Sequence, residues 1–306
     1  MIRWTRLADV LAPTAPPERL ATFRVLVTGF ITAYLLVRLP VFLALGDNHP
    51  SRFEPVGVIS LLNQPLPSTA VKLVAAATVV LGGAAFVGFR FSLSGPLFAV
   101  LVLAVFSYRS SWGQILWFEH LMALHGAVVG FSPAADALSL DARRSSPRAV
   151  AHVRYGWPVR LAAIITVTTY LIAGVAKVRI GGLDWVEGES LRNHIAFSAA
   201  RTEVLGGFSS PLAKPLMNLP WVLTVPAAGS VLLELAAPLA LAGGPLRRVW
   251  VVATWSMHAL IAASMFVVFA YPLYGIAFAP LYRLEHLGPR IVATTRSLRR
   301  PARSSR

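Results

Sequence analysis

From Val249 to Tyr282 the chain runs 34 residues without one Lys, Arg, Asp or Glu. A helix that crosses a bilayer takes about 20 mostly apolar residues, so this run is too long for one crossing and short for two. Comparable apolar runs occur along the whole chain. Charged residues are 13% of the 306, against about 25% in an ordinary soluble domain. That share is too small to wet the surface of a globule of this length. A water-soluble enzyme, a disordered tail protein and a coiled coil are excluded. The remaining class is all-α: a polytopic integral membrane helical bundle, multi-pass, with the lipid bilayer as its first partner.

The runs give the order of the spans. The first extends from about Leu20 to Leu45; it is too long for a signal-peptide core and no small-residue cleavage site follows, so it reads as a retained span. Further spans run over Thr69–Phe89, Leu93–Tyr108, Trp112–Phe131, Trp157–Val178 and Leu219–Leu241. Pro272 is expected to divide the last run into a seventh full span and a short eighth or re-entrant segment. Residues 1–19 form a basic N-terminal segment, 20–282 the transmembrane domain, and 283–306 a basic tail expected to be disordered.

The net charge of +15 would suggest nucleic acid on a soluble protein. Here it reads as the loop bias that orients membrane helices. With about eight transmembrane segments, Arg3, Arg6, Arg19, Arg90, Arg143, Arg144, Arg148, Arg247, Arg248 and the arginine tail share one side, which places both termini in the cytoplasm and the protein in the cell membrane. Seven spans would put the tail on the wrong side. Nucleic acid is not an expected partner. The chain has no Cys, which excludes disulfides, zinc thiolates and iron–sulfur clusters.

Polar groups at membrane depth are costly and are functional candidates by default. They are Glu119, His120, His125, Lys177, Glu234 and His258. Lys177 could snorkel to the interface. On a helix, however, Thr166, Tyr170 and Lys177 lie within about 40° of one face, with Ala173 completing the stripe and Gly174 beside it. Such a stripe faces the bundle, small residues let another helix approach it, and an amine desolvated there can serve as a base or nucleophile.

His120 and His125 are about 140° apart around a helix, unlike a metal-binding i, i+4 pair, so no metal site is expected. Each reads more simply as a histidine hydrogen-bonded between helices. His258 has Thr254 one turn before it. Glu234 has Ser230 one turn before it, and is open to protonation, pairing with a cation, or bonding backbone freed by Pro226 or Pro238.

Tyr170-Leu-Ile-Ala-Gly-Val-Ala-Lys177, followed by Asp184-Trp-Val-Glu-Gly-Glu-Ser190 and Arg192-Asn-His194, resembles the core of the vitamin K-dependent gamma-carboxylase and its relatives, the HTTM (horizontally transferred transmembrane) domain proteins. The helix with His120, the turn Ala137-Leu-Ser-Leu-Asp141, and Glu234 and His258 in their local contexts extend the resemblance over about Leu20 to Tyr282. The resemblance implies Lys177 as a catalytic base, with His258, His120 and Tyr170 as further catalytic candidates. It implies Glu234, Asp184, Trp185, Glu187 and His194 as substrate-binding candidates. A reduced, vitamin K-like quinone is implied on the same ground alone; no cofactor is otherwise evident.

The chain departs from the carboxylase in three places. Ala176 stands where that enzyme has a second lysine, Ala259, Leu260 and Ile261 replace its polar amides, and its large lumenal domain has no counterpart after Tyr282. Carboxylation of a protein substrate is therefore not the expected activity. Two functions remain. One is a lysine-base enzyme, lyase-like and bacterial in its relatives, acting on a quinol or related lipid-soluble molecule at the non-cytoplasmic side. The other is a non-catalytic accessory or maturation factor for an exported peptide or enzyme. A transporter would need matching broken halves, and none is visible.

Overall fold

The computed structural model describes residues 11–113, 115–144 and 150–287. Arg3, Arg6 and Arg148, and the expected disordered tail from 288 onward, lie outside the described residues. Regular structure among the described residues is helical, apart from one isolated bridge between Ala15 and His152. The chain divides into two units, residues 1–162 with 282–306, and residues 163–281.

In the first unit, α1 spans Pro17–Val37. Pro17 suits the first helical position because its missing N–H would be unpaired there anyway. Leu20, Arg24, Val27, Ile31 and Tyr34 repeat at helical spacing and are buried, which fixes the face that packs on α3 (Ser68–Val87) and α5 (Trp117–Gly130). A short helix, α2 (Leu39–Ala44), follows α1.

Helix α3 ends in a Schellman closure. Gly88 N–H donates to Ala85 at 3.2 Å and Phe89 N–H to Ala84 at 2.9 Å, with Gly88 left-handed at φ 65°. Helix α4 (Phe91–Ser110) starts at once. It meets α5 through small residues: a Cβ on Gly130 would lie 2.6 Å from the Gly95 carbonyl oxygen and 2.8 Å from Ala99 Cβ. Arg19 of α1 forms a two-pronged ion pair with Glu285, at 2.8 and 2.6 Å.

The long helix α6 (Val153–Val186) is shared by the two units and is broken at Gly182, whose φ of 52° and ψ of −133° are not helical. The second unit continues with α7 (Glu189–Val204), α8 (Ala213–Asn218), α9 (Pro220–Leu235), α10 (Gly244–Met265) and α11 (Ala270–Leu273). Ile195, Ala213 and Leu223 form a small apolar centre where α7, α8 and α9 meet.

Helices α1, α3, α4 and α6 are long and apolar enough to cross a membrane, and Trp221–Leu235 is a shorter apolar helix. Their outer surfaces match lipid rather than water. The exposed side chains of α3 include Leu73, Val80 and Phe86, and those of α6 include Ile172, Val175 and Val178. Apolar surface on this scale marks an interaction surface.

Four expected spans differ in the structure. The first, Leu20–Leu45, is one helix only as far as Val37, where Arg38 separates it from the short α2. The fourth expected span, Trp112–Phe131, is a helix of 14 residues that begins at Trp117. Gly113 turns the chain at φ 96°, and Trp112 instead packs on Phe53 at 5.1 Å and Tyr108 at 6.0 Å. The sixth, Leu219–Leu241, stops being α-helical at Leu235 and continues as a tight 3₁₀ segment over Ala237–Ala242, where Pro238 cannot supply the next helical N–H. The last run breaks at Phe266, left-handed at φ 54°, and not at Pro272, which sits within α11.

Candidate functional site

The polar stripe of α6 lies in the second unit, with Thr166 and Tyr170 buried and Lys177 half-buried, and makes three separate contacts along its length. Thr166 donates to the Ala277 carbonyl at 2.9 Å. Tyr170 Oη is 2.8 Å from His258 Nε2 of α10, a hydrogen bond whose direction follows the histidine tautomer. Lys177 Nζ donates to Glu234 Oε1 of α9 at 2.7 Å.

Gly174 makes the last contact accessible. A Cβ there would stand 2.9 Å from Glu234 Cβ and 3.0 Å from the Leu235 nitrogen, so only glycine lets α6 and α9 come this close. The side chains of Lys177 and Glu234 are 19% and 6% exposed. A pair this buried is stable only when each charge keeps its partner. Oε2 of Glu234 is buried with no hydrogen-bond partner among the described residues, and a carboxylate oxygen in that state is an acceptor awaiting a donor.

Trp185 completes the cluster. On a straight helix it would stand about 12 Å along the axis from Lys177, but the break at Gly182 redirects the chain. Its ring centroid lies 4.8 Å from Lys177 Nζ, close enough for a cation–π attraction. Its indole N–H donates to Ser230 Oγ at 3.3 Å, and Lys177 approaches the same oxygen at 3.5 Å. Ser230 itself donates to the Ala227 carbonyl at 2.8 Å.

A second layer of aromatic groups surrounds Tyr170. Phe278 stacks on its ring, Trp250 meets it edge-on at 5.3 Å, and Phe269 packs edge-on against His258 at 5.4 Å. Thr254, one turn before His258, has a buried hydroxyl with no hydrogen-bond partner among the described residues.

Of the expected site residues, Lys177, Glu234 and Trp185 form one cluster, and Tyr170 and His258 form a separate hydrogen-bonded pair two turns earlier on the same face of α6. His194 is exposed, with its ring 5.5 Å from that of Trp185. Asp184 and Glu187 are exposed; the backbone carbonyl of Glu187, not its side chain, accepts from Thr224 at 3.0 Å. His120 belongs to the first unit and is exposed on α5.

Two polar groups of the first unit have structural partners instead. His125 is fully buried, and its Nε2 donates to the Ala162 carbonyl at 3.1 Å. Glu119 accepts from Tyr34 Oη at 2.5 Å and from Arg109 at 2.8 Å.

The sequence reading did not single out Arg24, which is completely buried. Its Nη2 donates to the Leu138 carbonyl at 2.6 Å. The available signal was its spacing, four residues after Leu20 and three before Val27, on the buried face of α1. Among the described residues no group of three or more His, Cys, Asp or Glu is arranged to hold a metal.

A family model described as HTTM domain matches residues 15–285. No curated protein and no solved structure matches the chain.

Proposed function

Because the chain belongs to the HTTM family, a multi-pass membrane protein related to the gamma-carboxylase, we propose that Lys177 and Glu234 are the proton-transferring pair of a membrane enzyme. Its substrate is a quinol or a related lipid-soluble weak acid, taken at the non-cytoplasmic side of the cell membrane. The observation that carries this reading is the ion pair itself. Lys177 and Glu234 are 2.7 Å apart, and the second carboxylate oxygen is buried without a donor among the described residues.

An ammonium paired with a carboxylate is not a base. Moving one proton along the hydrogen bond from Nζ to Oε1 gives an amine beside a neutral carboxylic acid. That form suits a weakly polar site, because burial penalises charges, and its amine can accept a proton from a bound hydroxyl. The resulting anion would face a lysine ammonium, a favourable arrangement at low dielectric. Trp185 offers a ring for an aromatic substrate to stack on, and the unpartnered Oε2 of Glu234 offers an acceptor for its second hydroxyl. These residues fit an aromatic diol, the chemistry a reduced quinone would supply. Tyr170 and His258, hydrogen-bonded two turns earlier on the same face of α6, are the pair through which a proton could leave.

The test is turnover in lipid nanodiscs. In air-equilibrated buffer, wild-type protein should accelerate the oxidation of a naphthohydroquinone by dissolved oxygen, because the oxyanion formed by proton transfer is the form that oxygen oxidises, and Lys177→Ala should insert normally yet show only the uncatalysed rate. Equal rates for the two proteins would overturn the reading.

An accessory role for an exported peptide or enzyme draws on a different observation. On and just after α7, which is not among the span-length apolar helices, Phe197, Val204, Leu205 and Phe208 are exposed, Phe208 at 91%. Under this reading a partner would co-purify in fixed proportion with both wild type and Lys177→Ala, and would be lost from Phe197→Ser/Phe208→Ser.

A further inference from the structure

Gly88, Phe89 and Arg90 link α3 to α4, and both helices are long and apolar enough to cross a membrane. A three-residue link between two crossing helices lies at a membrane face. Two guanidinium groups converge on the one aromatic ring in it. Arg90 stands 5.8 Å from the Phe89 ring centroid, and Arg144 stands 5.7 Å from the same centroid. Phe89, Arg90 and Arg144 are all exposed.

A third guanidinium lies directly beneath. A Cβ on Gly88 would be 2.1 Å from Nη1 of Arg24. Arg24 is fully buried, and its Nη1 and Nε have no hydrogen-bond partner among the described residues. The carboxylate in the cluster is Asp141. Its two oxygens accept the backbone N–H groups of Arg90 at 3.0 Å and Phe91 at 2.7 Å, and it is within Coulombic range of Arg24.

Among the described residues these contacts bring three guanidiniums against one carboxylate, two of them gathered on an exposed ring at the membrane face, a surface of unbalanced positive charge. We propose that this turn binds the headgroup of an anionic phospholipid. The phosphate would lie between Arg90 and Arg144, while the Phe89 ring would border the glycerol and upper acyl region, as aromatic rings do at membrane interfaces. Arg24 raises the local potential from below without touching the lipid. Planar guanidiniums bind phosphate with two parallel hydrogen bonds. The site is independent of Lys177 and of any enzymatic activity.

The test is lipid retention by native mass spectrometry after reconstitution in phosphatidylglycerol, with phosphatidylcholine as the neutral comparison. Basic residues near a lipid surface contribute about 1 kcal/mol each, so Arg90→Ala/Arg144→Ala should hold phosphatidylglycerol about 30-fold more weakly. Phosphatidylcholine retention should not change. Arg144→Ala alone should lose about 5-fold. Arg90→Lys/Arg144→Lys, which keeps the charge, should recover most of the retention, and Arg201→Ala, an exposed arginine elsewhere, should have no effect. Retention of phosphatidylglycerol at the wild-type level in both alanine variants would overturn the proposal. So would complete displacement of the lipid by inorganic phosphate at millimolar concentration, which would make this an ion site.

Discussion

Glu234 meets Lys177 at 2.7 Å across two helices because Gly174, three residues before the lysine, leaves room for the Glu234 side chain. One glycine therefore sets the separation at which a buried acid and a half-buried amine interact, and the ion pair is a property of the packing as much as of the two charges.

Removing one partner of this pair should destabilise the protein more than removing both. Lys177→Ala or Glu234→Ala leaves a buried charge alone, at a cost of about 3–5 kcal/mol, whereas Lys177→Met/Glu234→Leu removes both charges and should come within about 1–2 kcal/mol of wild type. Thermal unfolding in detergent measures this. Turnover should be absent from all three variants under the enzyme reading. A double variant as unstable as the singles would show that the groups are not coupled.

Gly174→Leu should separate α6 from α9 without altering either charge. Its Cβ alone would contact Glu234 Cβ at 2.9 Å, and overpacking of this kind typically costs about 1–3 kcal/mol. The Lys177 variants and Gly174→Leu should therefore share one functional defect. Wild-type turnover in a folded Gly174→Leu protein would separate catalysis from the pair.

Gly88→Ala should be among the most damaging single-methyl additions in the first unit. The position is left-handed, which costs about 1–2 kcal/mol for a residue with a Cβ. The new atom would also collide with Arg24 Nη1 at 2.1 Å. Arg24→Ala should relieve the second cost but not the first, so the double variant should be more stable than the sum of the two singles implies. A double-mutant cycle of melting temperatures reads that coupling, and strict additivity would contradict the contact.

The Arg19–Glu285 pair gives a defined pH response. The hydrogen bond from Arg19 holds the Glu285 carboxyl below its usual 4.5. A group whose folded value is depressed adds stability above its unfolded value and loses it as pH falls through the folded one. The contribution should be complete near pH 7 and decline below about pH 4.5. Glu285→Gln should lower the melting temperature at pH 7 and narrow the difference from wild type at pH 3. A constant difference across that range would mean that the pair does not titrate with folding.

The apolar runs made α1, α3, α4 and α6 legible, because hydropathy and length suffice for helices that are apolar throughout. The stripe of Thr166, Tyr170 and Lys177 was legible for a similar reason: helical spacing alone puts the three on one face. What each of them would touch was not legible, because the partners come from Ala277, His258 and Glu234, each on a different element. Asp141 was visible only as part of a turn. Its work of capping the backbone N–H groups at the start of α4, some 50 residues earlier, depends on how the chain returns. Phe266 looked like any residue in a long apolar run, and nothing in its type announces a left-handed backbone. Arg24 was hidden by its position near the start of the first run, where an arginine ordinarily reads as a flanking charge.

The three contacts of the α6 stripe engage the 3₁₀ segment Ile276–Leu281, α10 and α9 in turn. A helix turns about 100° per residue, so a register error of one position would disengage all three together. This helix has one angular setting, fixed in the manner of a key with three teeth. The amine of Lys177 is aimed by Thr166 and Tyr170 as well as by its own partner, and a substitution three turns away could misdirect it without altering a single charge.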